Sequence, residues 1–222
     1  MIQSLAGPEG VASRAGSWLY IAEIEHRVAN EYSLAVASIS LVASRCSDAN
    51  VKAALGGAAQ RLRDYANVHR ALQAPMKSGL MDLSIYLRQL SDAIARATLA
   101  EREVSLTLIE QSIEIDVKRC WRVGLIVSEL ITNAVRHGFG GGPGAITIEM
   151  ARSPGFVHCR ISDDGRPSIG STPGNGTHLT DALATELGGF IDRQFCNDGT
   201  TVVLSFPEHG GSVPYNVAPQ SR

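Results

Sequence analysis

The segment Leu125–Phe139 reads LIVSELITNAVRHGF and holds the side chains best suited to chemistry. Leu125, Ile126, Leu130, Ile131, Ala134 and Val135 recur at helical spacing and predict one buried face. Glu129, Asn133, Arg136 and His137 fall on or beside another. Glu129 and Asn133 are four apart, so they share one side of the helix. A carboxylate and an amide in that relation can serve a metal-bound phosphate. The carboxylate offers a base, and the amide oxygen offers a ligand to Mg²⁺, which takes oxygen donors and keeps waters and phosphates. An isolated E-x-x-x-N pair equally fits the polar face of any amphipathic helix, so the other segments must decide.

Four of them bear on it. His26, in EIEHRVAN, lies off the stripe set by Ile21, Ile24 and Val28, so its ring is expected in solvent. Glu23 and Asn30 share its side of the helix and could hold one tautomer, leaving a ring nitrogen free to attack. A solvated surface histidine is the commoner outcome for such a segment. Asp163-Asp164-Gly165 follows a strand-like run. An aspartate there can accept a hydrogen bond from the amino group of adenine, and a glycine lets a flat base reach the backbone. D-G is also an ordinary turn signal. Gly174-Asn175-Gly176 precedes a helix, where bare backbone N–H groups suit phosphate. Gly199-Thr200 opens the last strand, and Thr200 could support a base pocket or simply complete a turn.

The elements that must position these residues can be read coarsely. Ser17 to about Arg45 is expected as one long helix, with Ile21, Ile24, Val28, Ala35, Ile39 and Val42 as its stripe. The turn SDAN offers Asp48 or Asn50 as cap for a second helix, about Val51 to Leu72, with Leu55, Leu62, Ala66 and Val68 as stripe. One hairpin has too little core to stand alone, but two make a four-helix bundle, so a homodimer is expected. Pro75 and Gly79 punctuate a linker. Asp82 caps a helix bearing Leu83, Tyr86, Leu87, Leu90 and Ile94. Val104–Leu108, Ala145–Met150, Phe156–Ser162 and Thr201–Phe206 read as strands, Leu179–Leu187 as a helix, and Gly165–Gly176 as a Gly-rich loop. The expected class is α+β: a helical hairpin at 14–74 forming a dimeric four-helix bundle, then an α/β sandwich at 80–207, with 208–222 as a disordered tail.

Composition narrows the class. Of 222 residues, 44% are hydrophobic and 19% charged, enough for a substantial core. A net charge of −2 points away from nucleic acid and anionic membranes. The four cysteines, Cys46, Cys120, Cys159 and Cys196, form no C-x-x-C pair, which argues against a zinc site or a disulfide framework and for reduced thiols in the cytoplasm. No apolar run reaches about 18 residues, so no membrane span is expected. The N-terminus lacks the charged and apolar regions of a signal peptide.

Taken in order, HRVAN, VHRAL at 68–72, DLSIYL at 82–87, SELITNAVRH, DDG, GNG, LGG and GT resemble the transmitter region of two-component sensor histidine kinases. The nearest subgroup has an H-box of the H-R-V-K-N type. The resemblance covers residues 18–207. It implies a dimerising bundle that bears the phosphoacceptor, followed by the ATP-binding sandwich shared with gyrase, the Hsp90 chaperone and mismatch-repair ATPases. It implies ATP and Mg²⁺ as cofactors, His26 as phosphorylated residue, and Glu129 and Asn133 as catalytic and Mg²⁺-binding positions. Asp163 and Gly165 match the adenine motif, Gly174 and Gly176 the lid glycines, and Thr200 the final threonine. Arg136 and His137 join the nucleotide-binding set.

The implied reaction is phosphoryl transfer from ATP to His26 and on to the aspartate of a response-regulator receiver domain. Arg27 follows the histidine where many relatives have an acid, so a base must be Glu129 or Glu23. Pro167 stands where the family has a second glycine, Ala29 replaces the H-box lysine, and Thr177 and His178 alter the lid. Few residues precede the H-box, so input is expected from a separate sensor or input protein. Two other functions compete: a histidine phosphotransfer protein or response-regulator phosphatase with a degenerate ATP domain, and a regulatory binding module of the anti-sigma kind.

Overall fold

In a computed structural model, the backbone is described for residues 9–76, 78–166 and 175–210, and the side chains for 27–76, 78–166 and 176–210. The chain divides into two units, 1–74 and 75–222.

The first unit is an antiparallel pair, α1 (Glu9–Arg45) and α2 (Ala49–Ala71). The first helix starts earlier than its stripe predicts. Of the two cap candidates Asp48 serves, its carboxylate accepting from the Asn50 and Val51 N–H groups. Small residues, Ala43, Ala59 and Ala66, close the hairpin, and Val42, expected in the stripe, is 57% exposed. Leu34, Leu41, Val51 and Tyr65 are exposed as well. Two helices can bury only the seam between them, so the rest of each apolar face stays open.

The second unit opens with β1 (Leu80–Asp82), α3 (Leu83–Ile94), a π-turn at Ala95–Leu99 and a 3₁₀ turn at Ala100–Arg102. There follow β2 (Val104–Ile109), β3 (Glu114–Asp116), α4 (Val117–Asn133), a second π-turn (Ala134–Gly138), β4 (Gly144–Ser153), β5 (Phe156–Asp163), α5 (Asn175–Glu186), β6 (Phe190–Cys196) and β7 (Gly199–Pro207). The main sheet has the order β2-β4-β5-β7-β6, parallel only between β2 and β4; β1 and β3 form a separate two-stranded ladder. Leu83, Leu87 and Leu90 of α3 and Val123, Ile126 and Val127 of α4 are fully buried, as are Ile148, Val157, Cys159, Leu204 and Phe206 of the sheet. Helices on one face of a mixed sheet make the α/β sandwich, and with the hairpin the chain is α+β. All four cysteines are free thiols.

Three strands go beyond the sequence reading. β1 and β3 are three residues each, too short for a periodic signal. β6 reads FIDRQFC, whose apolar residues come in pairs rather than alternating. Its detectable trace is the N-D-G at 197–199, a hairpin turn that requires an upstream arm. The expected tail falls mostly on 211–222, outside the described residues.

Candidate functional site

The helix that carries the polar pair is held from its first turn. The Asp116 carboxylate accepts from the Lys118 N–H, 2.9 Å. Cys120, Val123, Gly124, Ile126, Val127, Leu130 and Ile131 make the buried face, while Leu125 is only half-buried. Gly124 is required there because the Tyr86 ring lies where a β-carbon would stand. Burial drives the Tyr86 phenol far above its ordinary value, so it stays neutral.

Glu129 and Asn133 are half-buried and joined: Asn133 Nδ2 donates to Glu129 Oε1 at 3.2 Å. The bond uses the amide nitrogen and leaves the Asn133 oxygen as an acceptor. One amide oxygen beside phosphate and water is a donor set that Mg²⁺ accepts. Among the described residues no cluster of three or more His, Cys, Asp or Glu could hold a metal unaided. A metal at this site would therefore share its coordination with the phosphates.

Past Asn133 the helix widens into the π-turn. A π-turn takes an extra residue per turn and rotates the following side chains. His137, four after Asn133, continues the Glu129–Asn133 row and is exposed. Arg136 lines a separate cleft of about 260 Å³ with Thr98, Arg102, Ile131, Thr132 and Val135. The structure thus does not bring Arg136 into the row.

The π-turn ends at Gly138, directly against the end of β5. A β-carbon on Gly165 would lie 2.6 Å from Gly138 Cα, and the Arg166 N–H donates to Gly138 O at 2.8 Å. Between these strands of backbone sits the Asp163 carboxylate. It accepts from the Gly165 N–H at 3.0 Å and from the N–H and hydroxyl of Thr200, its cross-strand partner. Burial pushes the Asp163 carboxyl above its usual range, the Asp164 charge adds to this, and the hydrogen bonds oppose it. Asp164 turns the other way and pins β4 by accepting from the Ala145 N–H at 2.7 Å. Gly199, at φ +144°, lies so close to Asp163 O that no β-carbon fits.

The start of α5 closes on the same place. Gly176 meets the Glu129 carboxylate, at a distance no β-carbon could share. Six of the expected residues, Glu129, Asn133, Asp163, Gly165, Gly176 and Thr200, thus form one connected constellation. The side chain of His26 lies outside the described residues, and so do Pro167 and Gly174.

A family model described as "Histidine kinase-like ATPase domain" matches residues 87–205, and one described as "Histidine kinase" matches residues 23–98. The sensor histidine kinase PdtaS of Mycobacterium tuberculosis is 28% identical over 203 residues, covering 84% of this chain and 39% of that protein. Blue-light-activated histidine kinase 1 of Erythrobacter litoralis is 28% identical over 196 residues, covering 85% of this chain and 52% of that protein. The chain thus spans 39% to 56% of the length of the curated relatives it matches. A solved histidine kinase domain from the Erythrobacter litoralis EL346 blue-light activated histidine kinase shares the fold, with a TM-score of 0.55 at 20% identity, over 80% of this chain and 95% of that one.

Proposed function

The chain belongs to the histidine kinase family, and from that premise we propose that it is an ATP-dependent protein-histidine kinase that phosphorylates His26 and passes the phosphoryl group to the aspartate of a response-regulator receiver domain. The observation that carries the proposal is the continuity of one site. The Asp163 carboxylate, braced by Gly165 and Thr200, lies against the end of the helix that presents Glu129 and Asn133.

Each residue then has a task. Asp163 accepts from the amino group of the base, and the bare Gly138–Gly165 contact lets the flat ring approach. His137 extends the row on the base side. The Asn133 oxygen joins the coordination of Mg²⁺, which when bound offsets the charge of the triphosphate. Gly176, in the first turn of α5, offers its backbone N–H to the phosphates, and Gly174, which precedes it in the sequence, is assigned the same role. A neutral ring nitrogen of His26 attacks the γ-phosphorus; the N–P bond forms as the bond to the ADP oxygen breaks, and the ring proton leaves to Glu129 or Glu23.

Arg136, which lines a separate cleft, has no part in this reading. The exposed Leu34, Leu41, Val42 and Val51 support a homodimer, since a second hairpin would cover them. A cytoplasmic setting completes the proposal; among the described residues no helix is long and apolar enough to cross a membrane.

The test is incubation of the purified chain with γ-labelled ATP and Mg²⁺ beside His26→Ala. Acid-labile, base-stable label that the variant lacks supports the reading. Absence of both label and ATP binding defeats it and leaves the phosphotransfer or docking alternatives.

A further inference from the structure

Strand register lines up four residues across the end of the main sheet where the site lies. Ile146 pairs with Asp163, Asp163 with Thr200, and Thr200 with Phe195. Opposed residues of antiparallel strands project to the same face. Ile146 is 1% exposed, so that face is the one the helices cover. Asp163 and Thr200 are bonded to each other. Phe195 stands apart: it is 65% exposed, although Arg193 and Ile191, on the same face of β6, are half-covered. Arg193 is held by Thr180 and Asp181 of α5, at 2.9 and 2.8 Å. The cover thus stops short of Phe195, and a phenyl ring is left in water beside a half-buried carboxylate and a threonine.

Neighbouring strands lie about 4.8 Å apart, so the Phe195 backbone stands roughly 10 Å from that of Asp163. A flat base held by its edge at the Asp163 carboxylate would come within contact reach of a side chain two strands away. We propose that Phe195 is a base-contacting residue of the nucleotide site: its ring forms the outer wall against a purine whose amino edge is held by Asp163. The inference rests on the nucleotide reading above and deepens it. The division of labour follows from the chemistry. Asp163 accepts a hydrogen bond and so selects an amino group over a carbonyl, which fixes the identity of the base. Phe195 offers only a π surface, by offset stacking or edge-to-face contact, and so sets affinity for any flat base.

Binding of MgATP to the full chain, by titration calorimetry, tests this with Phe195→Ala, Phe195→Trp and Phe190→Ala. Phe190 is also exposed and lies on the opposite face of the same strand. Phe195→Ala is expected to weaken MgATP roughly three- to tenfold. Phe195→Trp should bind at least as tightly as the unsubstituted chain, and Phe190→Ala should bind equally. Inorganic tripolyphosphate, measured as a competitor of MgATP, should inhibit Phe195→Ala and the unsubstituted chain with the same dissociation constant. An unchanged MgATP affinity in Phe195→Ala overturns the proposal while the nucleotide reading stands. A matching loss for tripolyphosphate also overturns it, since only a general distortion would move both. If the unsubstituted chain binds no MgATP, the nucleotide reading itself falls and takes the proposal with it.

Discussion

Gly165 and Gly138 meet backbone to backbone, with room for no β-carbon on Gly165: one placed there would stand 2.6 Å from both Cα and C of Gly138. The contact joins the end of β5 to the end of the polar helix, and so fixes the spacing of Asp163 from Asn133. Backbone cannot yield as a flexible side chain does. Gly165→Ala is therefore expected to lower MgATP affinity at least about tenfold and to destabilise the second unit by roughly 1–3 kcal/mol, the usual cost of overpacking. Gly138→Ala, whose β-carbon would make only a 3.4 Å contact with Asp163 Oδ1, should be much milder. Calorimetric titration and thermal melts of the two variants check the order.

Glu129 and Asn133 share a hydrogen bond yet should fail differently. Glu129→Gln keeps an acceptor for the Asn133 amide and loses only the base. Binding of MgATP should persist while labelling of His26 falls by about 10²–10⁴-fold. Asn133→Ala removes the oxygen proposed to join the metal, so the Mg²⁺ dependence of binding should weaken instead. Full labelling in Glu129→Gln would move the proton to Glu23.

Asp82 caps α3 and tests the acid side of stability. Burial raises its carboxyl, but hydrogen bonds from the Ser112 hydroxyl, the Ser84 hydroxyl and N–H, and the Ile113 N–H outweigh this and hold it down, at about 2 against an ordinary 3.8. A folded value below the unfolded one means that the group stabilises the fold above the ordinary value, and that this contribution is lost as pH falls from about 4 toward 2. Asp82→Asn retains a capping oxygen and should flatten that part of the stability–pH curve; Asp82→Ala should also lose about 1 kcal/mol at neutral pH. Urea titrations at several pH values measure both.

The thiols divide by burial. Cys120 and Cys159 are wholly buried, and burial pushes both up to about 12. Cys196 is exposed and Cys46 half-exposed. In native protein a thiol reagent should modify Cys196 and then Cys46, and reach the other two only after unfolding. Mass mapping of the labelled peptides reads out the order.

Much of the site was legible before any fold was known. The helix bearing Glu129 and Asn133 announces itself because its apolar period and its polar pair are local. The caps Asp48 and Asp82 are local for the same reason, since a side chain there bonds to N–H groups two or three residues on. Asp163 and Thr200 were each visible close to a glycine, but 36 residues lie between them, and their bond depends on strand register. The same holds for Phe195, on a strand with no clean alternation. His137 and Arg136 are adjacent in the chain, and since neighbours on a helix do not face the same way, only His137 continues the row.

By itself the sequence determined the helical hairpin, the polar helix face and the set of glycines and acids that a nucleotide-binding site needs, because these are properties of neighbours along the chain. Only the tertiary structure decided which of them meet. It set the parallel pairing of β2 with β4, the edge strand β6, the brace of Gly165 and Thr200 around Asp163, and the removal of Arg136 to another cleft. Each of these is a long-range contact, formed when buried faces of distant segments are packed together; the local pattern tells which side of a strand is buried, but not which distant segment it meets.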